Sequence, residues 1–465
     1  MQLRFMIKKI LPKSFFSFRH WWYAWYGAVK YGHPSKKMFV IGVTGTSGKS
    51  TTIFLLRQMF ESVGLKIGSL STIDFYVNGK TMLNDQKMTM LGKMKTQQYL
   101  CEMVDNGCEV AIVETTSEGQ VQYRDRYIAY DVMILTNLYP EHIESHGSYE
   151  NYKEAKLNIF RRAAQYGRGK VVSLSPEHQT MLANLYTKGT KEIKKTFIVN
   201  GDIPEAAEFL DVRSLASVRR IVFGQTDTIK NTQKNVDQSS IAEDIYSDKE
   251  GLHFKVGDYR FDPEMYGEHN VMNILITIAV ARQFDIAWNL IQKVVHTFKN
   301  APGRNEFIVE AEGKGFQVIV DYAFEPKAMA ALYKVVELLQ PKRVIHVFGS
   351  TGGGRDVARR FSLGTLIGEK ADICIVTDED SYDDDPQKII DDVASAVRKT
   401  GKRDGTDLFL ILDRHEAIRR GLQIADVGDL VLITGKGSEQ AMCISGGRKI
   451  PWDDRAIVRE ELKKI

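Results

Sequence analysis

Two α/β domains are predicted. The first has a mostly parallel sheet with an antiparallel insert, and the second is smaller and doubly wound, Rossmann-like. Three features of the 465-residue chain predict them. An apolar, β-branched run, Val40-Ile41-Gly42-Val43-Thr44, enters a glycine-rich turn that leads into the helix-like Ile53–Phe60. Short apolar runs at Val110–Val113 and Val132–Thr136 alternate with the helical patterns Leu91–Val104 and Tyr149–Ala164. Beyond Asn300-Ala301-Pro302-Gly303-Arg304, a natural hinge, further apolar runs recur with helical stretches between them: Gln317–Val320, Arg343–Phe348, Ile373–Thr377, Leu408–Leu412 and Leu430–Thr434.

Residues 1–37 come first, a basic and aromatic segment with eight Lys/Arg, no Asp or Glu, and three of the five tryptophans. Gly32-His33-Pro34-Ser35 breaks its pattern before the first strand. A helix packed on the following domain is expected; such a segment can also lie on an anionic membrane surface. Residues 38–300 make the central domain. Within it, residues 196–262 carry short alternating pieces, Leu252–Val256 and Tyr259–Phe261, that read as the antiparallel insert, with a polar loop at Gln225–Ser240. Residues 301–465 make the C-terminal domain.

Composition narrows the function classes. A content of 43% hydrophobic and 26% charged residues is that of a globular protein. A net charge of +4 carries no nucleic-acid footprint. Cys101, Cys108, Cys374 and Cys443 follow neither zinc nor disulfide spacing, which points to a reducing cytoplasm. No apolar run approaches the roughly 20 residues of a membrane span, and no secretory signal is evident. A cytoplasmic monomer is expected, touching the inner face of the membrane at most weakly through residues 1–37.

Gly45-Thr46-Ser47-Gly48-Lys49-Ser50-Thr51 is the strongest chemical signal. Strand, glycine turn and helix N-terminus make a phosphate cradle: backbone N–H groups face the anion, Lys49 neutralises it, and Ser50 can ligand Mg²⁺. Val43 stands where a general P-loop has its first glycine, so the loop resembles that of Mur ligases and folylpolyglutamate synthetases more than that of kinases. Glu114 follows its strand at the carboxyl end, where an acid can hold Mg²⁺.

Downstream, Thr136-Asn137-Leu138, Glu141-His142, His146-Gly147, Glu150-Asn151-Tyr152 and Ala155-Lys156 occur together. This resembles the signature of the Mur ligases, the UDP-N-acetylmuramyl-tripeptide synthetases among them, and the resemblance extends over residues 38–465. It implies that His142 and Glu114 ligand a second Mg²⁺ and that Lys156 is carbamylated. Lys49, Lys156, His142 and Glu114 would be catalytic, and Ser50, Glu114, His142 and Lys156 would hold metal. Gly267–Asn273 resembles a family element that assigns Asn270 and Asn273 to adenine; Pro302–Glu306 assigns Arg304 to ATP phosphates; Asp321–Pro326 assigns Asp321 to the ribose, with Phe324 where the family has histidine. The glycine loop Phe348–Asp356 makes Arg355 the partner of the incoming α-carboxylate. Thr89, Thr116, Ser117, Gln122 and Arg124 are implied for the acceptor, and Asp380, Tyr382, Gly435 and Glu439 with Arg355 for the amino acid.

Departures bear on the substrate. Glu118 and Ser438 stand where the family has histidines, and Tyr382 replaces an arginine that grips diaminopimelate. Glu379, Asp380, Asp383, Asp384 and Asp385 surround it, so lysine or ornithine is expected over diaminopimelate. Relatives carry a UDP-binding domain of about a hundred residues, within the usual small-domain range, where 37 residues precede Met38 here. The expected activity is an ADP-forming amino-acid ligase using ATP and Mg²⁺, working through an acyl phosphate on a UDP-MurNAc-L-Ala-D-Glu-like acceptor. A related ligase with a folate or lipid-linked acceptor, and an ATP-binding membrane-associated protein without ligase activity, are the alternatives.

Overall fold

The computed structural model describes residues 13–84, 88–141, 143–172, 174–212, 218–225, 236–354 and 357–465. The central domain is built on one eleven-stranded sheet. Its strands are β1 (Phe39–Thr44), β2 (Ile67–Leu70), β3 (Asp74–Val77), β4 (Lys80–Leu83), β5 (Val110–Glu114), β6 (Val132–Leu135), β7 (Thr196–Asn200), β8 (Arg219–Gln225), β9 (Gln238–Asp248), β10 (Gly251–Val256) and β11 (Tyr259–Phe261). They lie in the order β11-β10-β9-β8-β7-β6-β1-β5-β2-β3-β4. Pairings from β2 through β9 are parallel; β2-β3-β4 and β9-β10-β11 are antiparallel edges.

Residues 196–262 are antiparallel only in their last part: Leu252–Val256 and Tyr259–Phe261 are antiparallel strands as expected, and the preceding β7 and β8 are not. β7 and β8 extend the parallel sheet, and only β9–β11 form a meander at its edge. Alternating apolar residues announce strands, but strand direction is set by nonlocal pairing that local patterning does not carry. The polar stretch Gln225–Ser240 falls largely outside the described residues, and its end belongs to β9.

Nine helices are described in this part of the chain: α1 (Lys13–Lys30), α2 (Lys49–Ser62), α3 (Lys93–Asp105), α4 (Ser117–Val121), α5 (Ile143–His146), α6 (Tyr149–Gln165), α7 (Ala206–Leu210), α8 (His269–Gln283) and α9 (Trp288–His296). The period of two along β1 explains the layers. Phe39, Ile41 and Val43 join Leu55, Met59, Ile274 and Ile278 on the face covered by α2 and α8. Met38 and Val40 join Leu100, Met103, Ile159 and Phe160 on the other face, covered by α3 and α6. Helix α1 docks on α3, as expected of a helix packed on the following domain.

The C-terminal domain holds a six-stranded sheet ordered β12-β13-β17-β14-β15-β16, with β12 (Glu306–Phe307), β13 (Gln317–Asp321), β14 (Val344–Phe348), β15 (Ile373–Val376), β16 (Leu408–Leu410) and β17 (Leu430–Thr434). Five strands are parallel and β12 caps one edge antiparallel. The hairpin β18 (Ala441–Ile444) and β19 (Arg448–Pro451) follows, unforeseen in the sequence.

Candidate active site

The carboxyl ends of β5, β1 and β6, three neighbours in the sheet, lie side by side. This is where an open parallel sheet binds ligands. β1 ends in the glycine loop. Gly45 has φ 149°, and a Cβ there would stand 1.9 Å from Thr136 Oγ1. Gly48 has φ 77°, and its Cβ would meet Asn273 Oδ1 at 2.5 Å. Both positions require glycine on geometry alone. A clamp from the end of β6 fixes the loop: Asn137 Oδ1 accepts from the N–H groups of Thr46 (3.0 Å) and Ser47 (2.9 Å), and Thr136 Oγ1 donates to the Ser47 carbonyl (2.6 Å). Lys49, Ser50 and Thr51 then form the first turn of α2, whose N–H groups suit a phosphate. Lys49 Nζ donates to the Gly45 and Thr46 carbonyls at 3.1 and 2.9 Å, and burial lowers its pKa.

Glu114 lies beside Val43 in the register of β1 and β5. It is buried, and its Oε2 accepts from Ser50 Oγ (2.9 Å), the Thr72 N–H (2.7 Å) and Thr72 Oγ1 (3.1 Å). Ser50 and Glu114, assigned to different metal positions from the sequence, are thus in direct contact. His142 lies outside the described residues.

Lys156 arrives on α6. Ser148 caps that helix, accepting from the Asn151 N–H at 3.2 Å. Tyr152, Ala155, Ile159, Phe160 and Ala163 form its buried stripe, and Lys156 stands inside that stripe. The side chain is 1% exposed; its Nζ donates to the Gly45 carbonyl at 2.8 Å and lies 4.6 Å from the Tyr152 ring centre. Burial, then the neighbouring Lys49 charge, hold its pKa well below that of an ordinary lysine. Two residues not singled out from sequence belong here. Glu141 acts electrostatically on both Lys49 and Lys156. His146 Nε2 pairs with Ser117 Oγ at 3.1 Å, and its ring packs on Tyr152. Both sit in the Glu141–Lys156 motif, so their adjacency to His142 and Ser148 was the available signal.

Of the residues expected to contact nucleotide, Asn273 Oδ1 accepts from Thr52 Oγ1 (3.2 Å) and its Nδ2 donates to Asn270 Oδ1 (3.1 Å), so the pair braces α8 against α2. Asp321, at the end of β13, accepts from the N–H groups of Asn305 (2.5 Å) and Ala323 (2.6 Å); burial raises its pKa. Arg304 stacks 4.2 Å over Tyr322, is close enough to Lys49 to lower its pKa, and has a buried Nε with no hydrogen-bond partner. Phe324 packs edge-on against Tyr322 and beneath Arg359, an aromatic contact in place of a polar one.

The residues expected to take the acceptor are held by local hydrogen bonds. Thr89 Oγ1 donates to Thr72 Oγ1 (3.0 Å), whose own proton goes to Glu114, Thr116 caps α4, and Gln122 Oε1 accepts from Arg124 (2.7 Å), which also donates to the Met90 carbonyl. At the amino-acid side, Gly435 has φ 103° and packs on Glu379. Lys436, fully buried, donates to Asp380 (3.1 Å), Glu439 (2.6 Å) and the Ala441 carbonyl (2.8 Å). The acidic run is thus partly neutralised from within. Asp383 accepts from the Gly446 N–H, Asp384 pairs with Arg360, and Asp385 caps the next helix. Glu379 is buried, with no ion-pair partner in contact among the described residues, and burial pushes its pKa up to about 7. Tyr382 lies over Gly353 with φ 52°. Arg355 lies outside the described residues.

Comparison with known proteins agrees with this geometry. Residues 43–194 match the Mur ligase middle domain, and residues 303–437 match the Mur ligase, glutamate ligase domain. A UDP-N-acetylmuramyl-tripeptide synthetase of Roseiflexus sp. (strain RS-1) is 33% identical over 446 residues, covering 94% of this chain and 81% of the relative. A UDP-N-acetylmuramoyl-L-alanyl-D-glutamate–2,6-diaminopimelate ligase of Alkaliphilus metalliredigens is 29% identical, with 94% and 80% covered. The fold is that of a solved folylpolyglutamate synthase of Mycobacterium tuberculosis (TM-score 0.60, 15% identity, 90% and 92% covered) and of a solved diaminopimelate ligase (TM-score 0.57, 23% identity, 92% and 79% covered). With both domains matched and a 33%-identical relative aligned over 94% of this chain and 81% of its own length, the chain belongs to the Mur ligase family, ATP-dependent enzymes that form amide bonds.

Proposed function

We propose that the protein adds an amino acid to the free peptide carboxylate of a UDP-MurNAc-L-Ala-D-Glu-like acceptor in the cytoplasm, with release of ADP and phosphate. The observation that carries this reading is the convergence of Lys49, Ser50, Glu114 and Lys156 on one glycine loop. An acceptor carboxylate oxygen attacks the γ-phosphorus of ATP, ADP leaves, and an acyl phosphate forms. The amine of the amino acid then attacks the acyl carbon, phosphate leaves, and the amine loses a proton.

The residues divide this work. Lys49 turns from the loop carbonyls to the phosphates, and Arg304, whose Nε has no partner, adds positive charge as the phosphoryl group moves. The donor set fits Mg²⁺: Ser50 Oγ and the Glu114 carboxylate are hard oxygen ligands in contact. His142 and a carbamate on Lys156 complete the proposed set. Bound Mg²⁺ would supply charge neutralisation at the phosphoryl oxygens. Lys156 suits carbamylation because burial and the Lys49 charge disfavour its protonated form, and it is the neutral amine that adds CO₂ with loss of a proton. Thr89, Thr116, Ser117, Gln122 and Arg124 orient the acceptor; Asn270, Asn273 and Asp321 take the adenosine end. Arg355, Asp380, Tyr382, Gly435 and Glu439 form the amino-acid side.

Tyr382 in place of an arginine, with Glu379 and Glu439 nearby, supports lysine or ornithine over diaminopimelate, although Lys436 offsets part of the acidic charge. Domain rotation about residues 300–304 brings the two sides together. The test is phosphate release from ATP with UDP-MurNAc-L-Ala-D-Glu and a panel of amino acids. Release that depends on both acceptor and one diamino acid is expected. Release with a folate or lipid-linked acceptor alone would overturn the acceptor assignment.

A further inference from the structure

Helix α1 carries two apolar stripes on opposite sides. Ala24, Gly27 and Ala28 are buried, and a Cβ on Gly27 would stand 3.3 Å from the Met94 Cα of α3, so small residues set a close helix–helix approach. Phe18, Trp22, Trp25 and Val29 follow one another at steps of three and four along the other side, with Tyr26 four residues beyond Trp22, and each of the five is 39–61% exposed. Single exposed apolar residues are ordinary, but a continuous row of large ones marks an interaction surface. Trp22 and Tyr26 stack with ring centres 5.3 Å apart and planes 2° from parallel, giving the row a flat aromatic slab.

Cations border the slab. A cleft of about 400 Å³ beside it is lined by Arg19, His20, Tyr23, Lys93, Met94 and Lys95. Lys93 Nζ lies 2.8 Å from His20 Nδ1, and its pKa is pushed down to about 8 by burial and by the charges of Arg124 and Arg19. An anion in the cleft relieves that repulsion. Over residues 1–37 there are eight cations and no acid, against 55 basic and 59 acidic residues in the remainder.

We propose that this face of α1 seats the protein on an anionic phospholipid surface, with the aromatic row at the headgroup–acyl boundary and lipid phosphate in the Arg19–Lys93–Lys95 cleft. Trp and Tyr, apolar in body and polar at the tip, suit that depth. Each basic side chain near an anionic surface strengthens partitioning by about fivefold. No described helix is long and apolar enough to cross a membrane, so α1 lies in the plane of the surface. Because Arg124 is close enough to perturb Lys93, the docked face adjoins the residues expected to take the acceptor.

The test uses the full-length protein without ATP, sedimented with phosphatidylcholine vesicles and with vesicles containing about one-third phosphatidylglycerol, an anionic content that attracts basic segments. Binding to the anionic vesicles alone, with a blue shift of tryptophan emission, is expected. The Phe18→Ser/Trp22→Ser/Trp25→Ser variant should bind at least about tenfold more weakly, and Arg19→Gln/Lys95→Gln about twenty-five-fold more weakly if each lost charge removes its full share. Both should keep wild-type melting and ligase turnover. Absence of binding to anionic vesicles, or undiminished binding by the aromatic variant, would overturn the proposal. So would a wild-type dimer that the aromatic variant makes monomeric, or a cleft that takes inorganic phosphate while the protein ignores vesicles. Turnover is measured separately, so loss of the ligase reading would leave this result standing.

Discussion

Replacing Lys156 by Met separates a catalytic lysine from a structural one. Two opposing terms set the stability change. The side chain is buried within the apolar stripe of α6, so Met removes the cost of taking a polar amine out of water, about 1–3 kcal/mol on the scale of protein mutational data. Against this, the Gly45 carbonyl loses its 2.8 Å donor, and an unsatisfied buried carbonyl costs about 1–3 kcal/mol. The two nearly cancel, so the melting temperature should stay within about 4 °C of wild type. The pH sign follows from the lowered pKa. Below the ordinary lysine range the unfolded chain holds a proton that the folded chain must release, so Lys156 opposes folding there and ceases to do so as pH rises through that range. Any stabilisation of the Met variant is therefore largest at neutral pH and fades toward alkaline pH. Turnover behaves differently: loss of the carbamate oxygens should lower kcat by about 10²–10³-fold, the scale of removing one electrostatic stabiliser. Phosphate release coupled to amino-acid addition reads this, and short carboxylic acids should restore part of the lost rate. Full activity in the unrescued variant would refute the reasoning.

Other perturbations address separate parts of the site. Glu114→Gln should raise the Mg²⁺ concentration needed for half-maximal rate by about 10–100-fold and release the Ser50 hydroxyl, as read by metal titration of phosphate release. Gly45→Ala places a methyl group 1.9 Å from Thr136 Oγ1, so nucleotide binding measured by calorimetry should be lost even where the chain folds. Glu379, with its pKa raised to about 7, binds its proton more tightly folded than unfolded; between about pH 4.5 and 7 wild type should lose up to about 3 kcal/mol of stability as pH rises, and Glu379→Gln should lose this dependence in thermal melts across that range. Tyr382→Arg should shift the amino-acid panel toward diaminopimelate, and an unchanged panel would remove Tyr382 from specificity.

What the sequence made legible was contiguous. The glycine loop is one unbroken stretch from Val40 to Thr52, and strand, turn and helix appear there in the order the structure shows. All five parallel strands of the C-terminal sheet were also readable, because buried strands with helices between them have a strong local pattern. The missed features depend on residues distant in the chain. Asn137 holds the N–H groups of a loop ninety residues earlier, and Asn273 occupies the space that Gly48 leaves open. Lys436 reaches an acid 56 residues before it, so a run of five acids that reads as an open anionic pocket contains its own cation. The direction of β7 and β8 is of the same kind, fixed by the neighbours they pair with.

The contact between Gly303 and the Gly435–Glu439 loop bears on timing. A Cβ on Gly303 would stand 2.2 Å from the Ser438 nitrogen, and one on Gly437 2.5 Å from the Tyr322 nitrogen, so the two backbones are interlocked with no side chain between them. Arg304 and Glu439 therefore ride on one rigid block. On the roles proposed above, a swing that brings the arginine to the ATP phosphates would deliver the amino-acid loop in the same stroke, and its reversal would carry both away. Such gearing would leave an acyl phosphate little time uncovered before the attacking amine arrives, which limits its loss to water.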